Sequence, residues 1–219
     1  AARVHAQPLL RLQGLSAAGL RAGSRLRGIE LSLQAGEILG VAGIDGNGQR
    51  ELEEVLVGVR PVESGSLEID GQKVRPGVRS LRARRVAHLS GDRERAGVVP
   101  GFSLAENWIL KGSHDDPRFF RRGLLDRAAA RRATREASER YGIVPGDVDA
   151  DVATLSGGNA QKLAVARELD ADPRVLIAFN PTRGLDVGSA RFVHERLLAL
   201  RAAGGGVLLV STELDEVLA

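Results

Sequence analysis

The sequence predicts an α/β domain with a mostly parallel core sheet, an antiparallel β edge and an α-helical subdomain. Short β-rich runs alternate with helical patterns, which is typical of a parallel sheet with crossover helices. The β signal disappears between about residues 103 and 151, where alanine and arginine are frequent. The chain has 219 residues, 43% hydrophobic and 27% charged, and is long enough to bury a core of this kind.

The N-terminal part predicts the antiparallel edge and a first strand–loop–helix unit. Three segments have the pattern of half-buried antiparallel strands. They are residues 9–12, 29–33 and 67–69. Residues 37–41 predict a buried strand, which is followed by a glycine-rich turn. A helix over residues 51–57 should come next, because Leu52, Val55 and Leu56 have helical spacing.

The later segments predict the rest of the parallel sheet and its helices. Three runs are free of charged residues, as buried parallel strands usually are. They are residues 86–89, 175–179 and 207–210. Helices are predicted over residues 126–141, from the loop at 155–158 to about 170, and over 188–203, before three glycines. We assign residues 1–102 and 152–219 to the core and residues 103–151 to the helical subdomain.

The composition excludes several kinds of site. Without cysteine there is no disulfide, thiolate metal site or thiol nucleophile, and the four histidines are too scattered to predict a metal cluster. No apolar run approaches the roughly 20 residues that span a bilayer, and the start does not resemble a signal peptide, so we expect a soluble, cytosolic chain. The chain begins at Ala1, lacks methionine and ends in a helical pattern, so we expect a piece of a longer protein.

A glycine-rich loop over residues 43–50 has the spacing of a phosphate-binding loop, G-x-x-x-x-G-K-[ST]. Backbone N–H groups of such a loop, together with the following helix N-terminus, attract an anion. Gln49 stands where the phosphate-binding lysine belongs, and Arg50 stands where the magnesium-binding hydroxyl belongs. A plain glycine turn between a strand and a helix is the alternative. The candidate nucleotide-binding residues here are Gly43, Asp45, Gly46, Asn47, Gly48, Gln49 and Arg50.

A second glycine loop lies in residues 155–162, which read Leu-Ser-Gly-Gly-Asn-Ala-Gln-Lys. Its hydroxyl and backbone N–H groups at a helix N-terminus also suit an anion. Taken alone, a Ser-Gly-Gly cap is mostly structural. The candidate residues are Ser156, Gly157, Gly158 and Asn159.

Residues 155–162 resemble the signature motif of ATP-binding cassette (ABC) ATPases, and other motifs agree in the same order. Residues 175–186 resemble the Walker B strand and D-loop, and residues 207–213 resemble the last strand and the switch-histidine position. The resemblance covers nearly the whole chain and implies an ABC-type P-loop NTPase fold. Residues 36–43, 105–107 and 181–188 are more narrowly similar to the second, C-terminal cassette of tandem ATPase subunits that serve sugar and nucleoside importers.

The chain departs from the family pattern at the positions that hydrolyse ATP. Phe179 stands in place of the Walker B aspartate, Asn180 in place of the glutamate that polarises water, and Thr212 in place of the switch histidine. The Q-loop glutamine is absent near residues 90–93, and no aromatic residue precedes Phe102 to stack on adenine. The resemblance therefore implies no catalytic residue and no metal ligand in this half, and little or no ATPase activity of the isolated domain.

In the family, ATP is held between the Walker motifs of one cassette and the signature motif of its partner. The resemblance thus implies that this half lends its signature to an ATP site, with Mg²⁺, on an N-terminal cassette of the same polypeptide. It also implies transmembrane permease subunits as partners, a solute-binding protein indirectly, and a place at the cytoplasmic face of the plasma membrane. Residues 93–102 and the helical subdomain would contact the permease.

The alternative function is a non-catalytic scaffold or a nucleic-acid-associated cassette protein. It is motivated by Arg82, Arg84 and Arg85 and by a sequence pI of about 9.9. The net charge is only +3, aromatic residues make up 3% of the chain, and no reader motif accompanies the arginines. We therefore expect no nucleic-acid partner.

Overall fold

The computed structural model describes residues 7–19, 25–44, 46–91, 97–112, 116–121, 124–144 and 146–218. The strands are β1 (Leu10–Ala18), β2 (Arg25–Leu33), β3 (Ile38–Ala42), β4 (Ser64–Ile69), β5 (Gln72–Val74), β6 (Val86–Leu89), β7 (Phe120–Arg121), β8 (Leu124–Leu125), β9 (Val175–Phe179) and β10 (Gly206–Ser211). The helices are α1 (Gln49–Leu56), α2 (Val78–Ala83), α3 (Leu104–Ile109), α4 (Arg127–Tyr141), α5 (Gly157–Asp170), α6 (Val187–Ala202) and α7 (Leu214–Leu218).

The chain divides into two compact units. The first contains residues 1–91, 171–183 and 194–219, and the second contains residues 92–170 and 184–193. The glycine loop of residues 43–48 therefore belongs to the first unit, and the signature loop belongs to the second.

The first unit contains the two predicted sheets. An antiparallel sheet has the strand order β2-β1-β4-β5, in which β1 pairs with both β2 and β4. A parallel sheet has the order β3-β10-β9-β6. Strands β9 and β10 are buried along their whole length, because they are central and apolar. The core of this unit joins both sheets to the apolar face of α1, as Leu52, Val55 and Leu56 predict.

The second unit is mainly helical. Its core is formed by side chains from α3, α4 and α5, with Trp108 and Leu163 buried among them. Helix α4 begins after Asp126, whose carboxylate accepts from the Ala129 N–H at 2.9 Å, and it ends at Gly142 with φ 62°. The predicted helix over residues 126–141 is therefore confirmed.

Several elements differ from the sequence prediction. Two antiparallel strands of two residues each, β7 and β8, lie in the region where we expected no β structure. Helix α1 begins at Gln49, two residues before the predicted start, because the glycine loop continues directly into it. Strand β5 and helices α2 and α3 were not predicted. Within the described part of the chain, no helix combines the length and apolar character needed to cross a membrane.

Candidate functional site

The glycine loop connects β3 to α1 at the carboxyl edge of the parallel sheet. Gly43 donates its N–H to the Ser211 carbonyl of the neighbouring strand at 3.2 Å. Gly46 and Gly48 have φ values of 91° and 102°, a backbone conformation that favours glycine. The loop therefore lies between a strand and a helix, where the sequence predicts it, and Asp45 lies outside the described residues.

The Gln49 side chain forms hydrogen bonds across the glycine loop. Its Nε2 donates to the Ile44 carbonyl at 2.9 Å, and its Oε1 accepts from the backbone N–H of Asn47 at 3.1 Å. The Asn47 Nδ2 donates to the same Ile44 carbonyl at 3.0 Å. A Cβ at Gly43 would lie 2.5 Å from Gln49 Nε2, so the amide rests directly against the start of the loop.

The Arg50 guanidinium lies along helix α1. Its Nε pairs with the Glu54 carboxylate, one turn later, at 2.9 Å, and the side chain is 70% exposed. The other Glu54 oxygen pairs with Arg60 at 2.6 Å, and Arg60 also donates to the Ala18 carbonyl at 2.6 Å. Glu54 thus holds two guanidinium groups at this end of the antiparallel sheet.

Phe179, at the end of β9, belongs to the core of the first unit. Only 1% of the residue is exposed, and its ring meets the His88 ring edge-on with 6.2 Å between centroids. His88 Nε2 in turn lies 3.0 Å from the Glu53 carboxylate. Magnesium takes oxygen ligands. The phenyl ring at this position and the Arg50 guanidinium supply none, so these residues do not fit a magnesium ion.

Asn180 and Thr212 are hydrogen-bonded to each other. The Asn180 Oδ1 accepts from the Thr212 N–H at 2.8 Å and from the Thr212 hydroxyl at 3.1 Å. Asn180 has φ 40°, and its own N–H donates to the Val210 carbonyl at 2.8 Å. The structure therefore brings together two of the three positions to which the resemblance assigns catalytic groups, and it joins them by an amide–hydroxyl pair, neither member of which is a base at neutral pH.

Two further features lie near the carboxyl end of β9. A Cβ at Gly91 would lie 3.3 Å from the Phe179 carbonyl, so the chain near the expected Q-loop passes close to the end of β9. Thr182 donates its hydroxyl to the Glu216 carboxylate at 2.5 Å in a buried pair. The rest of the expected Q-loop, residues 92 and 93, lies outside the described residues.

The signature loop is accessible at the N-terminus of α5. Ser156 and Gly157 are exposed. The Ser156 hydroxyl oxygen accepts from the Asn159 N–H at 3.3 Å and from the Asn159 side-chain amide at 3.0 Å. The Asn159 Oδ1 accepts from the Val144 N–H at 2.9 Å, which fixes the amide. The serine is thus oriented by Asn159 at a helix end that favours anions.

Gly158 packs against the N-terminal end of α6. A Cβ there would lie 2.2 Å from the Ser189 hydroxyl oxygen and 3.0 Å from an Asp186 carboxylate oxygen, so any larger residue would displace these side chains. Hydrogen bonds from the Ser189 hydroxyl and from its N–H hold the pKa of the Asp186 carboxyl below its ordinary value. The signature and the residues of the expected D-loop are therefore in contact within the second unit.

Asn107, which the sequence analysis did not assign a role, organises the loop of residues 97–103. It is fully buried; its Oδ1 accepts from the Val99 N–H, and its Nδ2 donates to the carbonyls of Val99, Phe102 and Ser103. Arg167 of α5 donates to the carbonyls of Gly97 and Asn107, and burial lowers its pKa to about 10.

A sequence signal for this arrangement exists. Ser103 and Glu106 form a capping box, with the Ser103 N–H donating to Glu106 at 2.9 Å and the Glu106 N–H donating to Ser103 at 3.2 Å. The pattern S-x-x-E marks a helix start. It would have located α3, and with it Asn107 on the first turn.

Two of the three arginines that motivated the alternative function form hydrogen bonds or ion pairs within the first unit. Arg85 donates to the Asp172 carbonyl at 2.6 Å and pairs with its carboxylate, and Arg84 donates to the Ser80 carbonyl at 3.4 Å. In the helical unit, Arg131 pairs with Asp149 at 2.7 Å. These contacts favour a structural explanation of the arginines.

The comparisons with known proteins agree on one family. A family model described as ABC transporter matches residues 26–183. The chain is 37% identical over 217 residues to the guanosine import ATP-binding protein NupO of Bacillus subtilis, covering 97% of this chain and 42% of that protein. It is 39% identical over 219 residues to the nucleoside import ATP-binding protein NupA of Lactococcus lactis, covering 97% and 43%. The ribose import ATP-binding protein RbsA 1 of Rubrobacter xylanophilus is 38% identical over 212 residues, covering 96% and 41%.

The fold has close neighbours among solved structures. The dimeric post-hydrolysis state of the ATP-binding cassette MJ0796, bound to ADP and Pi, matches with a TM-score of 0.76 at 19% identity, covering 95% of this chain and 90% of that one. The chain spans about two fifths of the length of the curated relatives, 42% for the guanosine importer protein. The fold and the matched sequence together show that the chain is an ATP-binding cassette domain and belongs to the ABC transporter family.

Proposed function

We propose that the chain is the C-terminal cassette of an importer ATPase that takes up a nucleoside or a simple sugar. The support comes from three relatives that are 37–39% identical to this chain. They are named as import ATP-binding proteins for guanosine, nucleosides and ribose. The partners are an N-terminal cassette of the same polypeptide, transmembrane permease subunits and, indirectly, a solute-binding protein. The complex acts at the cytoplasmic face of the plasma membrane.

The chain's own half-site is degenerate in this proposal, and its signature completes the ATP site of the partner half. The observation that carries it is a contrast between the residues of the expected half-site and those of the signature loop. Gln49 and Asn180 direct their amides to the protein itself and Phe179 is buried, whereas Ser156 and Gly157 are exposed at a helix N-terminus. A phosphate would therefore meet hydrogen-bond donors at the second loop.

Each signature residue has its own role. Ser156 and Gly157 contact the γ-phosphate of ATP on the partner half, Asn159 orients the serine, and Gly158 allows the close packing on Ser189. ATP with Mg²⁺ is held by the partner's Walker motifs. Residues 43–50 provide weak nucleotide contacts and no hydrolysis, because the general base and the phosphate lysine are replaced.

In this proposal residues 1–102 and 152–219 form the ATPase core, and residues 103–151 form the helical subdomain that meets the permease together with residues 93–102. The compact helical unit of the structure also includes the loop of residues 97–103 and the signature loop. The loop of residues 97–103 supports the proposed contact with the permease. It exposes Val99 and Phe102 by 39% and 42%, and the buried amide of Asn107 fixes its backbone.

The test is ATP hydrolysis by the assembled transporter carrying Ser156→Arg. The guanidinium would occupy the space of the γ-phosphate, and we expect hydrolysis to fall by at least about 100-fold, as when a preorganised donor is lost. Ala153→Arg is the matched control, since it adds the same charge at an exposed position three residues earlier. Its rate should stay near that of the unmodified protein. Normal hydrolysis by the Ser156→Arg transporter would contradict the proposal.

A further inference from the structure

We propose that the Gln49 side chain is an internal competitor for phosphate in the glycine loop. The proposal rests on the proposed function, in which this loop is the chain's own half-site, and it explains how the site is kept from taking nucleotide tightly. The loss of the lysine charge alone would leave the backbone N–H groups available. The structure points to a second effect, which comes from the residue that replaced the lysine.

The Gln49 side chain engages a backbone donor of the loop. The Asn47 N–H donates to Gln49 Oε1 at 3.1 Å. In a glycine loop, this is the kind of inward backbone donor that cradles a phosphate oxygen. The glutamine oxygen is a neutral acceptor in that position, whereas a lysine at the same place has no acceptor. The substitution therefore adds a group that imitates the ligand.

The other end of the same amide is also bonded within the loop. Gln49 Nε2 donates to the Ile44 carbonyl at 2.9 Å, and Asn47 Nδ2 donates to that carbonyl at 3.0 Å. Both ends of the Gln49 amide are thus bonded across the loop, and they satisfy the Asn47 N–H and the Ile44 carbonyl. The Gly43 position permits this, because any Cβ there would lie 2.5 Å from Gln49 Nε2.

Displacing the Gln49 amide weakens phosphate binding. A phosphate that binds the Asn47 N–H must break the bond to Oε1 and rotate the side chain away from Ile44. Each bond contributes modestly because it is exposed to solvent, and two of them together weaken phosphate binding by about tenfold. This loss adds to whatever the missing lysine charge removes.

The experiment is a titration of the full-length protein with MgADP, whose diphosphate is the part that a glycine loop holds. Hydrogen exchange in a peptide covering residues 43–52 reports the loop separately from any other nucleotide site. Gln49→Ala removes both bonds, so half-maximal protection should come at about tenfold lower MgADP than in the unmodified protein. Gln49→Lys, which also restores the charge, should bind more tightly still. Gln72→Ala, at an exposed glutamine on β5, should behave as the unmodified protein does.

Equal or weaker binding by Gln49→Ala, or the same gain in Gln72→Ala, overturns the proposal. If Gln49→Ala loses its thermal unfolding transition, Gln49→Met replaces it, because methionine has nearly the length of glutamine and neither bond. The Ser156→Arg transporter separates the two proposals. Normal hydrolysis by this transporter, together with tighter MgADP binding by Gln49→Ala, refutes only the role of the signature loop. Lost hydrolysis by this transporter, with no tighter MgADP binding by Gln49→Ala, refutes only the role of Gln49.

Discussion

Replacing Phe179 with the aspartate of the family pattern should destabilise the first unit without restoring hydrolysis. Phe179 is 1% exposed, lies at the end of a strand buried along its whole length, and packs edge-on against His88. Truncating such a ring costs about 3–5 kcal/mol, and burying a carboxylate without a partner adds more, so we expect a loss of at least about 5 kcal/mol. For a domain of this size that lowers the unfolding temperature by about 10–20 °C.

The assay is calorimetric unfolding of Phe179→Asp, Phe179→Ala and Phe179→Leu at pH 5 and pH 8. Phe179→Ala measures the cavity alone, and Phe179→Leu should cost about 1 kcal/mol, because it keeps most of the volume. Burial raises the folded pKa of the introduced aspartate above its unfolded value of about 3.9. The charge penalty is therefore absent below that value and grows as the pH rises, so the difference between Phe179→Asp and Phe179→Ala should be larger at pH 8.

Three results would contradict this reasoning. An unchanged unfolding temperature for Phe179→Ala would show that the ring does not contribute to the core. An equal difference between Phe179→Asp and Phe179→Ala at the two pH values would show that the carboxylate is solvated. Restored hydrolysis in Phe179→Asp would also contradict the proposed degenerate half-site, because Asn180 would still stand in place of the general base.

Three further substitutions test the second unit. Asn107→Ala should lower the free energy of unfolding by about 2–3 kcal/mol in urea, because a buried amide with four hydrogen bonds is lost; an unchanged midpoint would count against its role. Gly158→Ala should cost about 1–3 kcal/mol through the clash with Ser189, whereas Gly146→Ala, with nothing within 4 Å, should stay within about 0.5 kcal/mol. The Asp186 carboxyl has a lowered pKa, so its stability advantage over Asp186→Asn should be present above about pH 4 and lost below it in acid unfolding.

Periodicity predicted the sheets and the long helices because those elements bury continuous apolar surface. Strand β9 is apolar throughout, and α4 has a cap at each end, so their bounds could be read within a residue. Helix α2 was missed because Leu81 is its only buried residue, which leaves no stripe to detect. Strand β5 has three residues, too few for an alternating pattern.

The candidate site could be predicted in its residue types and not in its hydrogen bonds. The sequence identified Gln49, Asn180 and Thr212 as departures from the family pattern. Asn180 and Thr212 follow strands β9 and β10, which are neighbours in the sheet, so their proximity could have been inferred from topology. The direction of the Gln49 amide could not, because it depends on a side-chain rotamer within a loop whose backbone only the structure defines.

The pairing of Asn180 with Thr212 explains why single substitutions toward the family pattern should fail. The Asn180 Oδ1 satisfies both the N–H and the hydroxyl of Thr212, and a buried or half-buried donor left without its acceptor costs about 1–3 kcal/mol. Changing either residue alone alters the hydrogen bonds of the other, so the two side chains depend on each other for stability. If the half-site is degenerate, as we propose, recovery of hydrolysis therefore requires both residues to change together with Gln49 and Phe179.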